Sequence, residues 1–371
     1  MGLRKLLCIL SLILTMLPVT SVYAEGTDSI SASKFQYKSQ YWFNQLIENG
    51  FRINDPGVNY PKFPRFLLKI YNWGDKTFNS YDKEYVVGTG KNWKLTGKNY
   101  NWLESYAMFF TSHTDIRMNS DPYSDIGAHI GFMAVSVGYT FKADELFGKP
   151  KNTRSHYEYG FTCSRLAANV AYTKTSGGVK ITKFGDYDLP HSFSFNGVRQ
   201  KTFSLDAYYF FNNKKYSQAA AYCYSKYQLK SAGSMIAGFN YGTQSINLDF
   251  TKLPLEMMEW MPGDYSYYNF HYTEYSLTLG YAYNWVLHPR RWLVNVTALP
   301  SVGYKHSYED STDGKKDMFA LAPRVMLGVV YNHKNLFASL NGRFDGHLHF
   351  GDGYTFFNSI ESFSLNVGMR F

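Results

Sequence analysis

Residues 274–285 read EYSLTLGYAYNW, and apolar side chains occupy every second position of this stretch. The apolar set is Tyr275, Leu277, Leu279, Tyr281, Tyr283 and Trp285, and the residues between them are polar or small. Because successive side chains of a β-strand point to opposite faces, the stretch predicts a strand with one apolar and one polar face. Its length matches the roughly ten residues that a tilted strand needs to cross an outer membrane.

The same two-residue period recurs along most of the chain from about Leu103 onward. Comparable series cover residues 133–141, 157–161, 203–211, 220–224, 235–241, 292–298, 319–331, 336–340 and 363–371. Aromatic residues gather at the ends of several series, as in the girdles of membrane barrels. We therefore predict an all-β fold, a closed antiparallel outer-membrane β-barrel of about twelve strands, with ten to fourteen left open. A soluble β-sandwich also alternates, so a soluble periplasmic β protein stays as an alternative.

The connections between the last six predicted strands alternate in length. Residues 288–291 and 332–335 predict tight turns, whereas 244–270, 305–316 and 346–358 predict long polar loops. Outer-membrane barrels alternate short periplasmic turns with longer external loops in this way. The rhythm blurs upstream of these strands, which is why the strand number stays open.

The last strand alternates without interruption up to the final residue. Its apolar positions are Phe363, Leu365, Val367, Met369 and Phe371. This series resembles the C-terminal sorting signal of bacterial outer-membrane barrels. We expect it to face lipid and to be the part of the chain that the barrel-assembly machinery recognises.

The N-terminus predicts export. Arg4 and Lys5 precede an apolar run over residues 6–17, and residues 22–24 supply a small-residue cleavage site. We expect a signal peptide over residues 1–24, because the apolar run is too short for a membrane anchor. Export and the barrel pattern together predict localisation in the cell outer membrane.

Composition excludes several classes of protein. Three cysteines exclude a disulfide framework, and alternation puts Cys163 and Cys223 on opposite faces, where they should not pair. The formal charge is +9, but the basic residues are spread along the chain, so no nucleic-acid partner is predicted. Nor does any apolar run after the N-terminus approach the length of a membrane helix.

Residues 25–102 differ from the rest of the chain. They contain Pro56, Pro61 and Pro64, and residues 43–47 and 63–71 have apolar positions three or four apart, which predicts short helices. We interpret 25–102 as an N-terminal periplasmic or lumen-contacting segment and 103–371 as the β-barrel.

Several stretches resemble the Bacteroidetes family labelled Domain of Unknown Function 4421. They are residues 80–93 (SYDKEYVVGTGKNW), 208–212 (YYFFN), 230–234 (KSAGS) and 280–286 (GYAYNWV). The resemblance covers most of the mature chain and implies an exported cell-envelope protein of Gram-negative Bacteroidetes. It implies no activity.

Charged residues in the polar phase of the strands are the main functional candidates. They are Asp206, Glu274, Arg324, Arg343 and Glu361. We expect them to face the lumen, where they would pair across a narrow barrel or line a wider pore.

A metal site is a second hypothesis. Asp345, His347 and His349 lie two residues apart, so they would share one strand face, and Glu361 could approach from the next strand. Such ligands suit zinc or another divalent ion, but side chains on one strand face lie about 7 Å apart. A polar lumen or rim cluster is the alternative.

Together these patterns predict a non-enzymatic outer-membrane barrel, either a narrow channel or a structural envelope protein, without a cofactor and with outer-membrane lipid as its partner. The oligomeric state is left open. The alternative is a barrel enzyme acting on lipid or lipopolysaccharide, which would need a nucleophile, a histidine base and an orienting acid. No residue spacing identifies such a set.

Overall fold

The computed structural model describes residues 37–50, 52–78, 80–91, 93–132, 135–143, 153–176, 178–189, 191–262 and 266–371. The predicted signal peptide over residues 1–24 lies outside the described residues. The chain divides into two compact units, Met1–Pro61 and Lys62–Phe371.

The first unit contains one described helix, α1 (Trp42–Glu48), which confirms the helix predicted at 43–47. Polar side chains hold the surrounding chain in place. Tyr37 Oη donates to Asp55 Oδ2 over 2.5 Å, and the buried Gln45 side chain accepts from the Asn59 amide over 2.8 Å.

The second unit begins with helix α2 (Lys62–Phe78), which contains the helix predicted at 63–71 and is longer. Strands make up most of the remainder of this unit. Their bounds are β1 Val86–Gly88, β2 Trp93–Phe110, β3 Asp115–Ser120, β4 Tyr123–Phe132, β5 Val135–Lys142, β6 Thr153–Thr162, β7 Leu166–Ser176, β8 Val179–Phe184, β9 Phe193–Phe195, β10 Val198–Phe210, β11 Lys226–Gln228, β12 Ala232–Asp249, β13 Tyr267–His288, β14 Trp292–Leu299, β15 Ser301–Ser307, β16 Asp317–Leu321, β17 Arg324–His333, β18 Leu336–Phe350 and β19 Tyr354–Arg370. Short helices lie in two connections, α3 (Gln218–Tyr222) and α4 (Leu255–Met258), the latter after a 3-10 turn at Phe250–Lys252.

The described strands form an all-β, antiparallel architecture. Strands β1 and β11 make a small separate sheet, and the other seventeen belong to one sheet. Strand β2 pairs with β19 on one edge and with β3 and β4 on the other. Strand β10 likewise pairs with β7 and β12.

Prolines interrupt three long strands. Pro122 separates β3 from β4, Pro300 separates β14 from β15, and Pro323 precedes β17. Because proline has no amide hydrogen, it removes a ladder hydrogen bond and breaks the strand at that position.

Three details of the predicted organisation are wrong. Strand β2 begins at Trp93, ten residues before the predicted start of the barrel, because its first half is too polar for its period to be visible. The loop predicted at 346–358 is reduced to residues 351–353, because β18 and β19 extend through it. No strand forms at 220–224; its first three residues belong to α3 (Gln218–Tyr222), since a short apolar run with alanines at 219–221 suits a helix equally well.

The large sheet has an outer face of exposed apolar side chains and an inner face of buried ones. On β13, Leu277 and Leu279 are 65% and 63% exposed, whereas Ser276 and Thr278 between them are buried. Among the described residues, no helix is both long and apolar enough to span a bilayer.

Apolar side chains on the inner face form a large buried cluster at one end of the strands, which we call the apolar cap. Its members include Tyr106, Met108, Ile116, Ile181, Phe184, Phe195, Leu248, Phe250, Tyr268, Phe270 and Phe356. The rings of Phe270 and Phe356 stack with centroids 4.1 Å apart. The cap draws on strands β2, β3, β8, β9, β10, β12, β13 and β19, so it packs the inner face like the core of a soluble domain.

Candidate interior site

Charged side chains occupy the inner face next to the apolar cap. Asp206 on β10 is 2% exposed, and Arg324 on β17 places its Nη1 atom 3.0 Å from the Asp206 carboxylate. Arg324 Nε also donates to Asp345, which accepts from Arg343 Nε on its other oxygen. Arg343 Nη1 lies 3.6 Å from Glu158 on β6.

We call Asp206, Arg324, Asp345, Arg343 and Glu158 the central charge network. Two guanidinium groups face three carboxylates in it. Burying an unpaired ion is costly, so the pairing explains how these charges fit among buried side chains. The structure thus brings together three residues predicted to face the lumen, Asp206, Arg324 and Arg343, with Asp345, which was predicted as a metal ligand, and with Glu158, which was not predicted.

Glu274 belongs to a second ion pair. Its carboxylate lies 3.5 Å from the ammonium of Lys305, which is fully buried, and 3.6 Å from His347 Nδ1. Lys305 Nζ also donates to the Leu348 carbonyl over 2.9 Å and lies 4.0 Å from the centroid of the Tyr272 ring. Sequence reasoning missed Lys305, because it assigned residue 305 to a charged loop; the alternation of β15 was the available signal.

The three predicted metal ligands are not brought together. Asp345 binds the two arginines, His347 lies beside Glu274, and His349 Nε2 lies 2.6 Å from Asp313 Oδ2. Among the described residues, no three histidine, cysteine, aspartate or glutamate side chains form a group that could hold a metal ion. The cause is their spacing along one strand face, which gives each residue a different neighbour.

The prediction that Glu361 faces the lumen is wrong. On β19 the buried side chains Ser364 and Asn366 lie at even positions, whereas Glu361 has the parity of the exposed Phe363. Its carboxylate accepts hydrogen bonds from Ser105 and Ser359 on the same outer face. Alternation of side chains makes this placement unavoidable in a regular strand.

The connection between β10 and β12 packs against the inner face at the other end of the strands. We call residues 216–228 the α3 segment. Tyr224 Oη accepts from Ser339 Oγ over 2.6 Å and from Asn341 Nδ2 over 2.8 Å, and Arg370 Nε donates to the Tyr224 carbonyl over 2.6 Å. Burial raises the pKa of Tyr224 to about 12, so its hydroxyl stays neutral.

Further contacts of the α3 segment reach other strands. Asn284 Nδ2 on β13 donates to the Ser217 carbonyl over 3.0 Å, and Tyr222 Oη donates to Asn295 Oδ1 on β14 over 2.6 Å. Lys94 on β2 donates to the Cys223 carbonyl. The sequence analysis did not identify this segment, because its contacts join residues that are more than fifty positions apart in the sequence. Cys163 and Cys223 form no disulfide, as predicted, although Cys223 lies beside a helix and not on a strand.

Between the apolar cap and the α3 segment lie two adjoining cavities of about 640 and 120 Å³. Both are lined by Tyr100, His156, Glu158, Arg324 and Arg343. About a third of the Glu158 side-chain surface remains accessible to solvent, so the space around it is wide enough for water.

His156 is the group in this space most suited to acid–base chemistry. Its Nδ1 lies 3.0 Å from Thr173 Oγ1, but its Nε2 lies 4.0 Å from the Glu158 carboxylate. That distance exceeds a hydrogen bond, so the three groups form no relay of the kind that activates a nucleophile. The rings of Tyr100 and Trp102 pack on the imidazole with centroids 5.5 and 5.8 Å away and hold it in place.

The fold and this site define an antiparallel all-β protein with a charged, partly hollow inner face. The chain belongs to the family described as Domain of unknown function (DUF4421), whose model matches residues 80–371. No curated protein matches the sequence.

Solved structures to which this chain is similar include an outer-membrane protease, a surface protein and an autotransporter domain. The outer membrane protease OmpT from Escherichia coli is 8% identical, with 77% of this chain and 98% of that chain covered and a TM-score of 0.34. Neisserial surface protein A (NspA) is 11% identical over 74% and 97%, with a TM-score of 0.24. The β domain of the Bordetella autotransporter BrkA is 11% identical over 74% and 99%, with a TM-score of 0.29.

Proposed function

We propose that the chain is a closed twelve-stranded β-barrel of the outer membrane with an occluded lumen. The ladders support closure, because they lead from one strand to the next and return to β2. The order is β2, β3–β4, β5, β6, β7, β10, β12, β13, β14–β15, β16–β17, β18 and β19, where each proline-interrupted pair counts as one strand.

The outer face supports membrane insertion. On β13 and its neighbours, exposed apolar side chains lie between exposed aromatic side chains near Tyr275 and near Trp285. Ten strand residues separate these two positions, which at a tilt of about 40° corresponds to a height of about 25 Å, the thickness of the apolar band of outer-membrane barrels. Soluble proteins rarely expose an apolar surface of this extent, which argues against a soluble periplasmic protein.

The single observation that carries the proposed function is the double closure of the inner face. The apolar cap fills one end and the α3 segment the other, with the central charge network between them. Such an interior supports a structural envelope protein and argues against a conducting channel, which needs a continuous water path.

The test combines two measurements on protein extracted from membranes. Unheated and boiled samples should migrate differently on a denaturing gel, because a closed ladder leaves no strand edge at which unfolding can begin. Planar bilayers should show no steady conductance. Identical migration would overturn the barrel, and a steady single-channel conductance would overturn the occluded lumen.

The enzyme alternative has its own readout. Purified protein should release no fatty acid from radiolabelled phospholipid or lipopolysaccharide. Release that disappears in His156→Ala would instead favour the enzyme.

A further inference from the structure

Strands β5 and β6 pair at a single position. Their ladder contains Val135 opposite Phe161, although the described residues of both strands would allow it to continue. By contrast, β4 and β5 share eight residue pairs, and β6 and β7 share ten. The two strands therefore separate beyond their first pair.

The larger cavity extends to this separation. Its lining includes Tyr139, Phe141 and Tyr157, which are 41%, 52% and 68% exposed on the outer face. The same cavity is lined by Lys98 and Arg154 on the inner face. The cavity thus reaches the gap between the two strands, where residues with side chains on either face line it, so it opens laterally.

The lining of this cavity is cationic. Six basic side chains, Lys94, Lys98, Lys142, Arg154, Arg324 and Arg343, face two carboxylates, Asp125 and Glu158. Two further carboxylates, Asp206 and Asp345, pair with Arg324. Six basic groups and four carboxylates together give the region a formal charge of +2. Lys98 Nζ lies 4.7 Å from the centroid of the Tyr100 ring, beside the central charge network.

The separation also has an energetic consequence in a membrane. Backbone N–H and C=O groups that face hydrocarbon without a partner cost several kcal/mol each, so the opening needs an occupant with both polar and apolar parts. An acyl chain fits between exposed aromatic side chains, and an anionic head group fits among the lysines and arginines.

We propose that the β5–β6 opening admits an anionic amphiphile from the bilayer, with its carboxylate or phosphate held beside Lys98 in the cavity. This inference rests on the proposed barrel and adds a ligand class to it. Fatty acids and phosphate-bearing lipids share the required chemistry.

Photolabelling of the full chain in phosphatidylcholine vesicles tests the inference. The probes are palmitic acid, phosphatidic acid and diacylglycerol, each carrying a diazirine in the acyl chain. We expect the acidic probes to label peptides of β5 and β6 at least fivefold more than diacylglycerol does. Whichever acidic probe labels these peptides more strongly shows whether the preferred head group is a carboxylate or a phosphate. Equal labelling by all three probes would show ordinary boundary lipid and overturn the inference.

A disulfide across the opening provides the second arm. If the ladder continued from Val135–Phe161, Tyr139 would lie opposite Tyr157, so Tyr139→Cys/Tyr157→Cys in a background lacking Cys163 and Cys223 can close it. Oxidation should abolish acidic-probe labelling and reduction should restore it. The matched control, Gly97→Cys/Val367→Cys, spans the fully paired β2–β19 ladder and should leave labelling unchanged.

The outcomes separate the two proposals. If the gel shift confirms the barrel but acidic-probe labelling is the same with and without the disulfide between positions 139 and 157, the lateral opening alone is overturned. Loss of the gel shift overturns the barrel itself.

Helix α2 carries an independent inference. Its apolar positions recur three or four apart on one face and are exposed: Phe63, Phe66, Leu67, Ile70 and Trp73. The helix also contains four basic residues, Lys62, Arg65, Lys69 and Lys76, and one acidic residue, Asp75, which leaves a formal charge of +3. A basic amphipathic helix with a bulky apolar face typically lies in the plane of a lipid surface.

The connection to the barrel supports a lipid surface as the occupant. Helix α2 ends at Phe78, fifteen positions before Trp93, whose backbone pairs with that of Phe371 at the end of the barrel. We infer that α2 lies on the membrane leaflet at that end, with its basic side chains toward anionic phospholipid head groups.

The test uses an environment-sensitive dye on Leu67→Cys, compared with Lys69→Cys on the polar face, in the same cysteine-free background. In vesicles of phosphatidylethanolamine and phosphatidylglycerol, doxyl-labelled lipid should quench the dye at residue 67 at least twofold more than at residue 69. Equal quenching, or none, in protein that still shows the gel shift would overturn the interfacial helix.

Discussion

The apolar cap and the central charge network lie on the same inner face, but the cap is stabilised by apolar packing and the network by ion pairs. Phe270 on β13 stacks on Phe356 in the cap, whereas Asp206 on β10 pairs with Arg324 in the network. The cap resembles a soluble core, in which volume and shape decide stability. The network depends on charge balance, so each member matters only as long as its partners are present.

The largest effect should come from unbalancing the network. Arg324→Met leaves Asp206 and Asp345 with Arg343 as the remaining guanidinium. We expect a loss of about 5 kcal/mol in the free energy of unfolding, measured with urea in phospholipid vesicles.

Restoring the original net charge of the network should recover part of that loss. In Arg324→Met/Asp206→Asn, the Arg343–Asp345 pair remains and one unpaired carboxylate is removed. A double variant no more stable than Arg324→Met would mean that packing, not charge, governs this layer.

A cavity in the apolar cap should cost slightly less. Phe356→Ala removes a fully buried ring that stacks on Phe270. We expect a loss of about 4 kcal/mol in the free energy of unfolding, because the transfer and cavity terms add. Phe356→Leu keeps most of the volume and should lose less than half as much; equal losses would show that the cap is loosely packed.

The proposed lipid-facing surface extends the comparison, because a charge placed there would have no ionic partner in hydrocarbon. Val367→Lys on β19 should cost about 3 kcal/mol and lower the yield of inserted protein. Ser362→Lys, whose side chain lines the cavity, is the matched control and should insert normally. Asn366 is a poorer control, since it donates to Ser339 Oγ over 3.1 Å.

The smallest effect concerns pH. Burial by itself would raise the pKa of the Asp313 carboxyl, but contacts with His349 and a hydrogen bond from Tyr354 outweigh it, and the pKa is lowered. The stabilisation is therefore present above the ordinary aspartate pKa of about 3.9 and is lost as pH falls through the lower folded value.

Urea midpoints measured from pH 7 down to pH 2 test this sign. The wild-type midpoint should fall below about pH 4, and Asp313→Asn should lack that part of the fall. Identical pH profiles for the two proteins would contradict the assignment to Asp313.

Alternation alone determined much of this protein. A period of two placed Leu277 and Leu279 on one face and Ser276 and Thr278 on the other, because neighbouring side chains of a strand must point apart. The same rule located Asp206, Glu274, Arg324 and Arg343 on the inner face before their partners were known. It failed for Glu361 only because that residue was assigned to the polar phase by its charge and not by its parity.

Only the tertiary structure decided what fills the inner face. Ser339 hydrogen-bonds Tyr224, and Arg324 forms an ion pair with Asp206, although each pair is separated by more than a hundred residues in the sequence. The α3 segment has a composition that suits strand or helix, and its burial against β13, β14 and β18 selects the helix. Periodicity reports the face of a residue and not its neighbour on the opposite strand, so strand pairing, the filling of the inner face and the β5–β6 separation depend on how the strands pack in three dimensions.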